Sequence, residues 1–350
     1  MKIVLTGVCG FAGSTIAEGL LARREGLKII GVDNLSRPGS ELNRHALSKI
    51  GVEVRHLDIR SASDIETLEP ADWVIDAAAN PSVLAGVAAG ATSRQLIEHN
   101  LVGTINLLEY CKTCRAGFVL LSTSRVYSIA SMTALKVVVS KNAYRPAVQK
   151  MPGLNVRGIA EDFSTEPPLS LYGAAKRASE QLALEYGNSF QFPVYLNRCG
   201  VLAGAGQFGK ADQGIFSFWI HSYRWQKPLK YIGFGGHGYQ VRDCLHPRDL
   251  IPVLLKQIRG IKGPALCNFG GGRENSMSLR QLSDWCAERF GPHKISSDRR
   301  TRPFDVPWLV LDSSRAARKW KWRPQTRLAT VLEEIALHAE QNPEWLDLTH

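Results

Sequence analysis

Residues 2–13 read KIVLTGVCGFAG, a short apolar run that breaks at Gly7, Gly10 and Gly13 and then opens a helical pattern, GSTIAEGLLARREG. Glycines at such a strand-to-helix turn permit a tight bend and let the backbone approach a pyrophosphate closely. The helix N-terminus then offers free N–H groups and the positive end of its dipole. The spacing is GxxGxxG rather than the commoner GxGxxG, and a glycine-rich turn can also be purely structural. The rest of the chain has to decide between the two.

Beyond this turn the pattern alternates. LKIIGVDN, VEVRHLDI, WVIDAAA, GFVLLSTS and FPVYLNRCGVLAG are short apolar runs, separated by helical patterns such as LIEHNLVGTINLLEYCK. Strands that are apolar throughout and alternate with helices predict an α/β fold, a doubly wound parallel sheet covered on both faces. Its ligands should sit beyond the carboxyl ends of the strands. The second strand ends in Asp33, whose carboxylate can accept both hydroxyls of an adenosine ribose and would repel a 2′-phosphate, which favours NAD over NADP. Arg37 works against that preference without reversing it. The third strand ends at Asp58 and Ile59, beside the place of an adenine, although an Asp at a strand end is often a cap.

The expected organisation is a nucleotide-binding domain over residues 1–198 and 236–270, and a smaller substrate domain over 199–235 and 271–345. Residues 128–170, broken by YRP, MPG and EPP, form an irregular insertion that should be a lid or a wall of the substrate pocket.

The totals agree with an ordinary globular chain: 350 residues, 44% of them apolar. The opening run is too short for a signal peptide, and no run approaches the ~18 apolar residues of a membrane span, so a cytoplasmic protein that binds neither membrane nor nucleic acid is expected. Seven scattered cysteines suit free thiols in a reducing compartment. The CKTC at Cys111 to Cys114 has no partner pair at a zinc spacing, so no metal is expected. The net charge of +11 suits a polyanion such as a nucleotide diphosphate. RAARKWKWRP at 315–324 superficially resembles a nucleic-acid surface, but reads better as a helix end before another amphipathic helix.

Two further stretches carry chemistry. FVLLSTSRVYS at 118–128 is a strand that ends in three hydroxyl side chains, Ser122, Thr123 and Ser124. SLYGAAKRASEQLALEY places Tyr172 and Lys176 four apart, on one helix face. A tyrosine with its usual pKa of about 10 is a poor base at neutral pH. A nearby ammonium and a positively charged nicotinamide would stabilise the phenolate.

Together, TGVCGFAG, Asp33, LDI, AAANPS, NLVGTINLLE, STSRVY, YGAAK and QVRDCLHPRDL resemble the extended short-chain dehydrogenase/reductase family, the NAD-dependent sugar epimerases and dehydratases. The resemblance implies a Rossmann domain, a nucleotide-diphosphate sugar substrate and a homodimer or homotetramer. It implies Thr123, Tyr172 and Lys176 as the catalytic residues, Tyr172 taking a sugar hydroxyl proton while hydride passes to NAD. It implies NAD contacts from Gly7, Gly10, Phe11, Gly13, Asp33, Asn34, Arg37, Asp58, Ile59, Ala78, Asn100 and Lys176. Substrate contacts would come from Asn80, Ser124, Gln207, Arg242 and Arg302, with Arg242 on the diphosphate.

In the family's 4,6-dehydratases the Thr is followed by Asp-Glu, the pair that eliminates water. Here Ser124-Arg125 stands there, and neither side chain can do that work at neutral pH. Epimerisation through a ketosugar is the expectation. Within the family, NRCGVLAGAGQFGKADQG and GFGGHGYQVRD most resemble the CDP-paratose 2-epimerases. A C4 epimerase of a UDP- or GDP-hexose, or an idle dinucleotide-binding relative, are the alternatives.

Overall fold

The computed structural model describes residues 1–87, 92–263 and 265–348. Seven strands form the main sheet: β1 (Lys2–Thr6), β2 (Lys28–Asp33), β3 (Glu53–His56), β4 (Trp73–Asp76), β5 (Gly117–Thr123), β6 (Val194–Cys199) and β7 (Leu266–Phe269). They lie in the order β7-β6-β5-β4-β1-β2-β3, and every pairing is parallel. Alternate side chains feed two cores. Ile3, Leu5, Val119 and Leu121 pack on one face, Val4, Phe118 and Leu120 on the other. Burial on both faces is why these strands read as continuous apolar runs.

The chain order reverses between β1 and β4, where ligands of such sheets bind. Register brings the carboxyl ends level there, Thr6 beside Asp76 and Cys199 beside Thr123. The Thr6 hydroxyl donates to buried Asp76 at 2.7 Å, and the Ala78 N–H donates to the same carboxylate at 3.2 Å. That pins the loop after β4 against the glycine turn.

Helices α1 (Phe11–Leu21), α2 (Gly103–Cys114) and α3 (Leu171–Phe190) flank the sheet. The Ser170 hydroxyl caps α3 by accepting from the Gly173 N–H at 3.1 Å. Cys111 is buried near the end of α2, and all seven cysteines are free. Among the described residues no helix is long and apolar enough to cross a membrane.

A second core gathers α4 (Ile215–Arg224), α5 (Leu279–Phe290) and α6 (Leu328–Gln341) around Trp219, Tyr223 and Leu282. Residues 236–270 do not stay together. Leu266–Phe269 completes the main sheet, whereas Val241–Leu245 is the centre of a small mixed sheet with Val201–Leu202, Ser276–Ser278 and Trp308–Leu309.

The insertion 128–170 forms a helical turn, Ile129–Thr133, a hairpin of Val137–Ser140 with Ala143–Pro146, and a short pair, Leu154–Asn155 with Gly158–Ile159. It docks on the back of that mixed sheet. The Ile159 N–H donates to the Val310 carbonyl at 2.8 Å, and Met132, Leu135 and Phe163 share a core with Trp308 and Leu309. Trp320 and Trp322 of the basic stretch are buried against Tyr195 and Phe269, so neither ring is free to stack on a base.

One buried ion pair joins the elements. Glu180 of α3 accepts from Arg198 of β6 at 2.9 and 2.7 Å, and from the Ser122 hydroxyl of β5 at 2.6 Å. Arg198→Met should destabilise the protein by about 3 kcal/mol, because it leaves the buried carboxylate only Ser122 and, at 3.7 Å, Arg177. The double variant Arg198→Met/Glu180→Leu should recover most of that loss. Urea unfolding of the single and double variants checks both.

Candidate active site

A cavity of about 570 Å³ lies beyond the carboxyl ends of the main sheet, walled on the far side by the second core and by residues 302–305. Its floor is the glycine turn. Gly7 has a φ of +63°, and a Cβ there would lie 2.8 Å from the Ala78 Cα. A Cβ on Gly13 would lie 2.1 Å from the Gly7 carbonyl oxygen. Gly10 differs: a Cβ would meet only that same oxygen, at 3.2 Å, and its open side lines the cavity. Two glycines shape the turn and the middle one leaves a bare backbone cradle, the fit a pyrophosphate needs.

Asp33 stands at the end of β2 with its carboxylate oriented by the N–H groups of Cys9 and Leu35, each at 2.9 Å. Burial raises its pKa against those bonds. It lines the cavity with Phe11, Asn34, Ile59 and Ala78. Arg37 also lines it, but donates across it to the Gln213 side chain at 3.0 Å and to the Phe208 carbonyl. That guanidinium is committed to the loop over the cavity.

Four expected contacts, Asp58, Asn80, Asn100 and Lys176, do not line the cavity. Asp58 is paired with Arg60 and accepts from Asn34 at 3.0 Å, which holds its carboxyl well below the usual range. Asn100 is buried and exchanges two bonds with the backbone of Asn80, at 2.8 and 3.0 Å. Its amide shapes the loop after β4, and neither Asn80 nor Asn100 lines the cavity. Nor does any residue of 128–170, contrary to the expected lid or pocket wall: the insertion supports residues 303–311 from behind.

At the centre, Tyr172 and Lys176 point from the first turns of α3 toward the end of β5. Burial pushes the Tyr172 phenol up to about 12, against the pull of a hydrogen bond with Thr123 and of the Arg125 charge. Lys176 is almost fully buried behind it, with Nζ 3.4 Å from the Ala78 carbonyl. Burial lowers its pKa, opposed by Asp76 and Glu180. The Arg125 charge thus joins the electrostatic help expected for the phenol, and Lys176 is held near the loop after β4.

Ser124 is buried and lines the cavity, as do Gln207, Arg242 and Arg302. Gln207 donates to the Leu202 carbonyl at 2.7 Å, leaving its Oε1 unpartnered. Arg242 pairs with Asp305 at 2.6 Å, and Arg302 donates to the Ala211 carbonyl at 3.0 Å. Asp305 and His99 line the cavity without having been singled out from sequence, and Arg125, noted there only for the acid it replaces, lines it too. Only Arg125 carried a signal, its place two residues beyond Thr123.

A bare pyrophosphate cradle, the Asp33 carboxylate, Thr123 and Tyr172 line one cavity, with Lys176 buried behind the tyrosine. Residues 3–266 match the model of the NAD dependent epimerase/dehydratase family. The chain belongs to that family. It is 34% identical over 344 residues to the CDP-paratose 2-epimerase of Salmonella typhi, covering 93% of this chain and 95% of that protein. It is 26% identical over 351 residues to the UDP-glucuronate 4-epimerase of Thermodesulfobacterium geofontis, covering 97% of each. The crystal structure of the Bacillus cereus UDP-glucuronic acid 4-epimerase with UDP-glucuronic acid and NAD shares the fold, with a TM-score of 0.77, 23% identity and coverage of 97% of this chain and 99% of that one.

The chain is thus an enzyme of the NAD-dependent nucleotide-sugar epimerase type, with NAD as its cofactor. NAD supplies a hydride acceptor and, oxidised, a positive charge. Gly13→Ala should weaken NAD binding by more than about tenfold, because the turn must open to admit the methyl. Calorimetric titration of the variant with NAD measures it; unchanged affinity would mean that the turn does not hold the pyrophosphate.

Proposed function

We propose that this enzyme inverts C2 of a CDP-3,6-dideoxyhexose, converting CDP-paratose to CDP-tyvelose. The observation that carries epimerisation is the Thr123–Tyr172–Lys176 group with Ser124-Arg125 where eliminating relatives need two acids. The similarity to the Salmonella CDP-paratose 2-epimerase supports the choice of carbon and sugar.

Tyr172, as phenolate, takes the proton of the C2 hydroxyl; NAD, held by the glycine turn and Asp33, would supply the acceptor for the C2 hydride. Thr123 holds the reacting oxygen, and Lys176 orients the nicotinamide ribose and adds positive charge. The ketosugar turns over in the cavity, hydride returns to its other face, and Tyr172 gives the proton back. Proton and hydride both come home, so nothing is oxidised in sum. Arg242 and Arg302 serve the diphosphate, and Gln207 the sugar.

Two copies pairing through α2 and α3 belong to this reading; Leu184 and Phe190 stay exposed on α3. A cytoplasmic setting does too, in keeping with the free cysteines. A second reading, C4 epimerisation of a UDP-hexose or its uronate, is favoured by the similarity to UDP-glucuronate 4-epimerases and uses the same three residues.

Proton NMR of the purified protein with CDP-paratose in deuterated buffer should show the C2 epimer with no deuterium at C2. No conversion, with NAD added, would remove the CDP-paratose reading, and conversion of UDP-glucuronic acid instead would install the second. Tyr172→Phe should lower kcat by about a hundredfold or more; an unaffected rate would mean that the phenol takes no part.

Because burial raises the phenol's pKa, the phenolate fraction grows as pH rises, so kcat/KM should climb from neutral pH into the alkaline range. Thr123→Val removes a bond that favours the phenolate and should move that rise to higher pH. Initial rates across pH for both proteins read the shift.

A further inference from the structure

The turn after Thr123 brings a charge to the catalytic tyrosine. The Arg125 N–H donates to the Thr123 hydroxyl at 3.1 Å, which fixes the backbone of the turn. On the other side the turn touches α3: a Cβ on Gly173, the residue after Tyr172, would lie 2.2 Å from the Arg125 carbonyl oxygen. Arg125 is thus locked beside Tyr172 by backbone contacts that leave its side chain free to serve the cavity. The side chain is deeply enclosed yet retains accessible surface, and that surface lines the cavity. Its guanidinium makes one long hydrogen bond, to the Phe304 carbonyl at 3.4 Å, so most of its five donors are unspent.

The charges that face it make the cluster unbalanced. Arg242, Arg302 and Asp305 surround Arg125, and Asp305 is already paired with Arg242 at 2.6 Å. Three guanidiniums stand against Asp305 and against Asp243, which acts on Arg242, so positive charge stays in excess and an anion from the ligand would meet it. The substrate class supplies one in its diphosphate, and its geometry decides where. The phosphorus esterified at C1 is three bonds from C2, through O1 and C1. C4 lies across the ring from it. An arginine beside the catalytic tyrosine can therefore reach the sugar-linked phosphate when C2 is the carbon that reacts, and is too far when C4 is.

We infer that Arg125 binds the phosphoryl group attached at C1 of the substrate, and so selects the carbon next to that phosphate for presentation to Tyr172. The inference rests on the proposed C2 chemistry and gives it a structural cause. The same guanidinium favours the phenolate that takes the C2 proton. A sugar carboxylate would satisfy the cluster too, and that source is separable from a phosphate.

The test compares CDP with CMP, which lacks the sugar-linked phosphate, by calorimetric titration of the NAD-loaded protein; UDP and UMP form a second pair. The Arg125→Gln variant should bind CDP about ten- to a hundredfold more weakly, with CMP affected little. Arg125→Lys keeps the charge and the stem but loses the forked geometry, so its CDP affinity should fall by about threefold, again without loss for CMP. Equal changes for the diphosphate and the monophosphate, in both variants and both pairs, would overturn the inference. So would unchanged CDP and UDP affinities together with lost turnover of UDP-glucuronic acid, which would mark Arg125 as the reader of a sugar carboxylate. Failure of the C2 reading is distinguishable: the wild type would leave CDP-paratose unconverted whatever the affinities show.

Discussion

The contact of Glu180 with Arg198 and Ser122 is the constraint on which the geometry of this site hangs. It ties β5, β6 and α3 together at a point that water does not reach. Thr123 is the next residue after Ser122, and Tyr172, Lys176 and Glu180 fall four residues apart on one face of α3, so the catalytic stripe continues into its own anchor. A buried ion pair is a weak source of net stability, because desolvation offsets most of the attraction. Its effect here is on register. A slip of α3 by one turn would move Tyr172 about 5.4 Å along the helix axis and away from Thr123. An apolar contact at the same place would permit intermediate positions, whereas three directional bonds to one carboxylate do not.

How much could be read in the chain alone depends on where each feature gets its meaning. The glycine turn, Asp33 at its strand end and the Tyr172–Lys176 spacing are each defined within one element, so local pattern suffices. Asp58, Asn80 and Asn100 look alike in sequence to ligand-facing polar residues, but their partners are set by tertiary packing. Arg60 folds back two residues to claim Asp58, and Asn100 reaches twenty residues to claim the backbone of Asn80. The insertion at 128–170 illustrates the same limit at larger scale. Its breakers announced irregular structure, but only the bonds between Ile159 and Val310 and between Ile159 and Asp312 say that it turns to the outer side of the mixed sheet. In RAARKWKWRP the two tryptophans are two apart, a spacing that helix periodicity does not put on one face; the left-handed Lys321 that ends the helix lets both reach the core.

The cavity is sealed by polar contacts from both halves of the molecule onto one loop. Arg37, after β2, holds Gln213 and Phe208; Ser82, after β4, hydrogen-bonds Asp212; Arg302, from the far wall, holds the Ala211 carbonyl. Residues 207–213 therefore answer to the cofactor end and the substrate end at once. This explains why Arg37, close to the Asp33 carboxylate, is held to the loop by its two terminal nitrogens, while its Nε stays buried without a partner.

The residue pair after Thr123 shows how one local change can alter two properties together. An acid pair there would supply the groups for eliminating water, and its charge would oppose ionisation of Tyr172. Arg125 in the same turn removes the acid and reverses the sign of the field at the phenol, while Ser124 stays buried and uncharged. The chemistry lost is elimination, and the chemistry made easier is removal of a hydroxyl proton, the step that transient oxidation requires. The arginine is itself strained by its surroundings, its pKa pulled down to about 10 by burial and by Arg242. An anion brought next to it relieves that burden and meets the tyrosine's substrate in the same place. Discrimination between C2 and C4 of a sugar would thus come from the wall's charge pattern, without any change in the three residues that carry out the reaction.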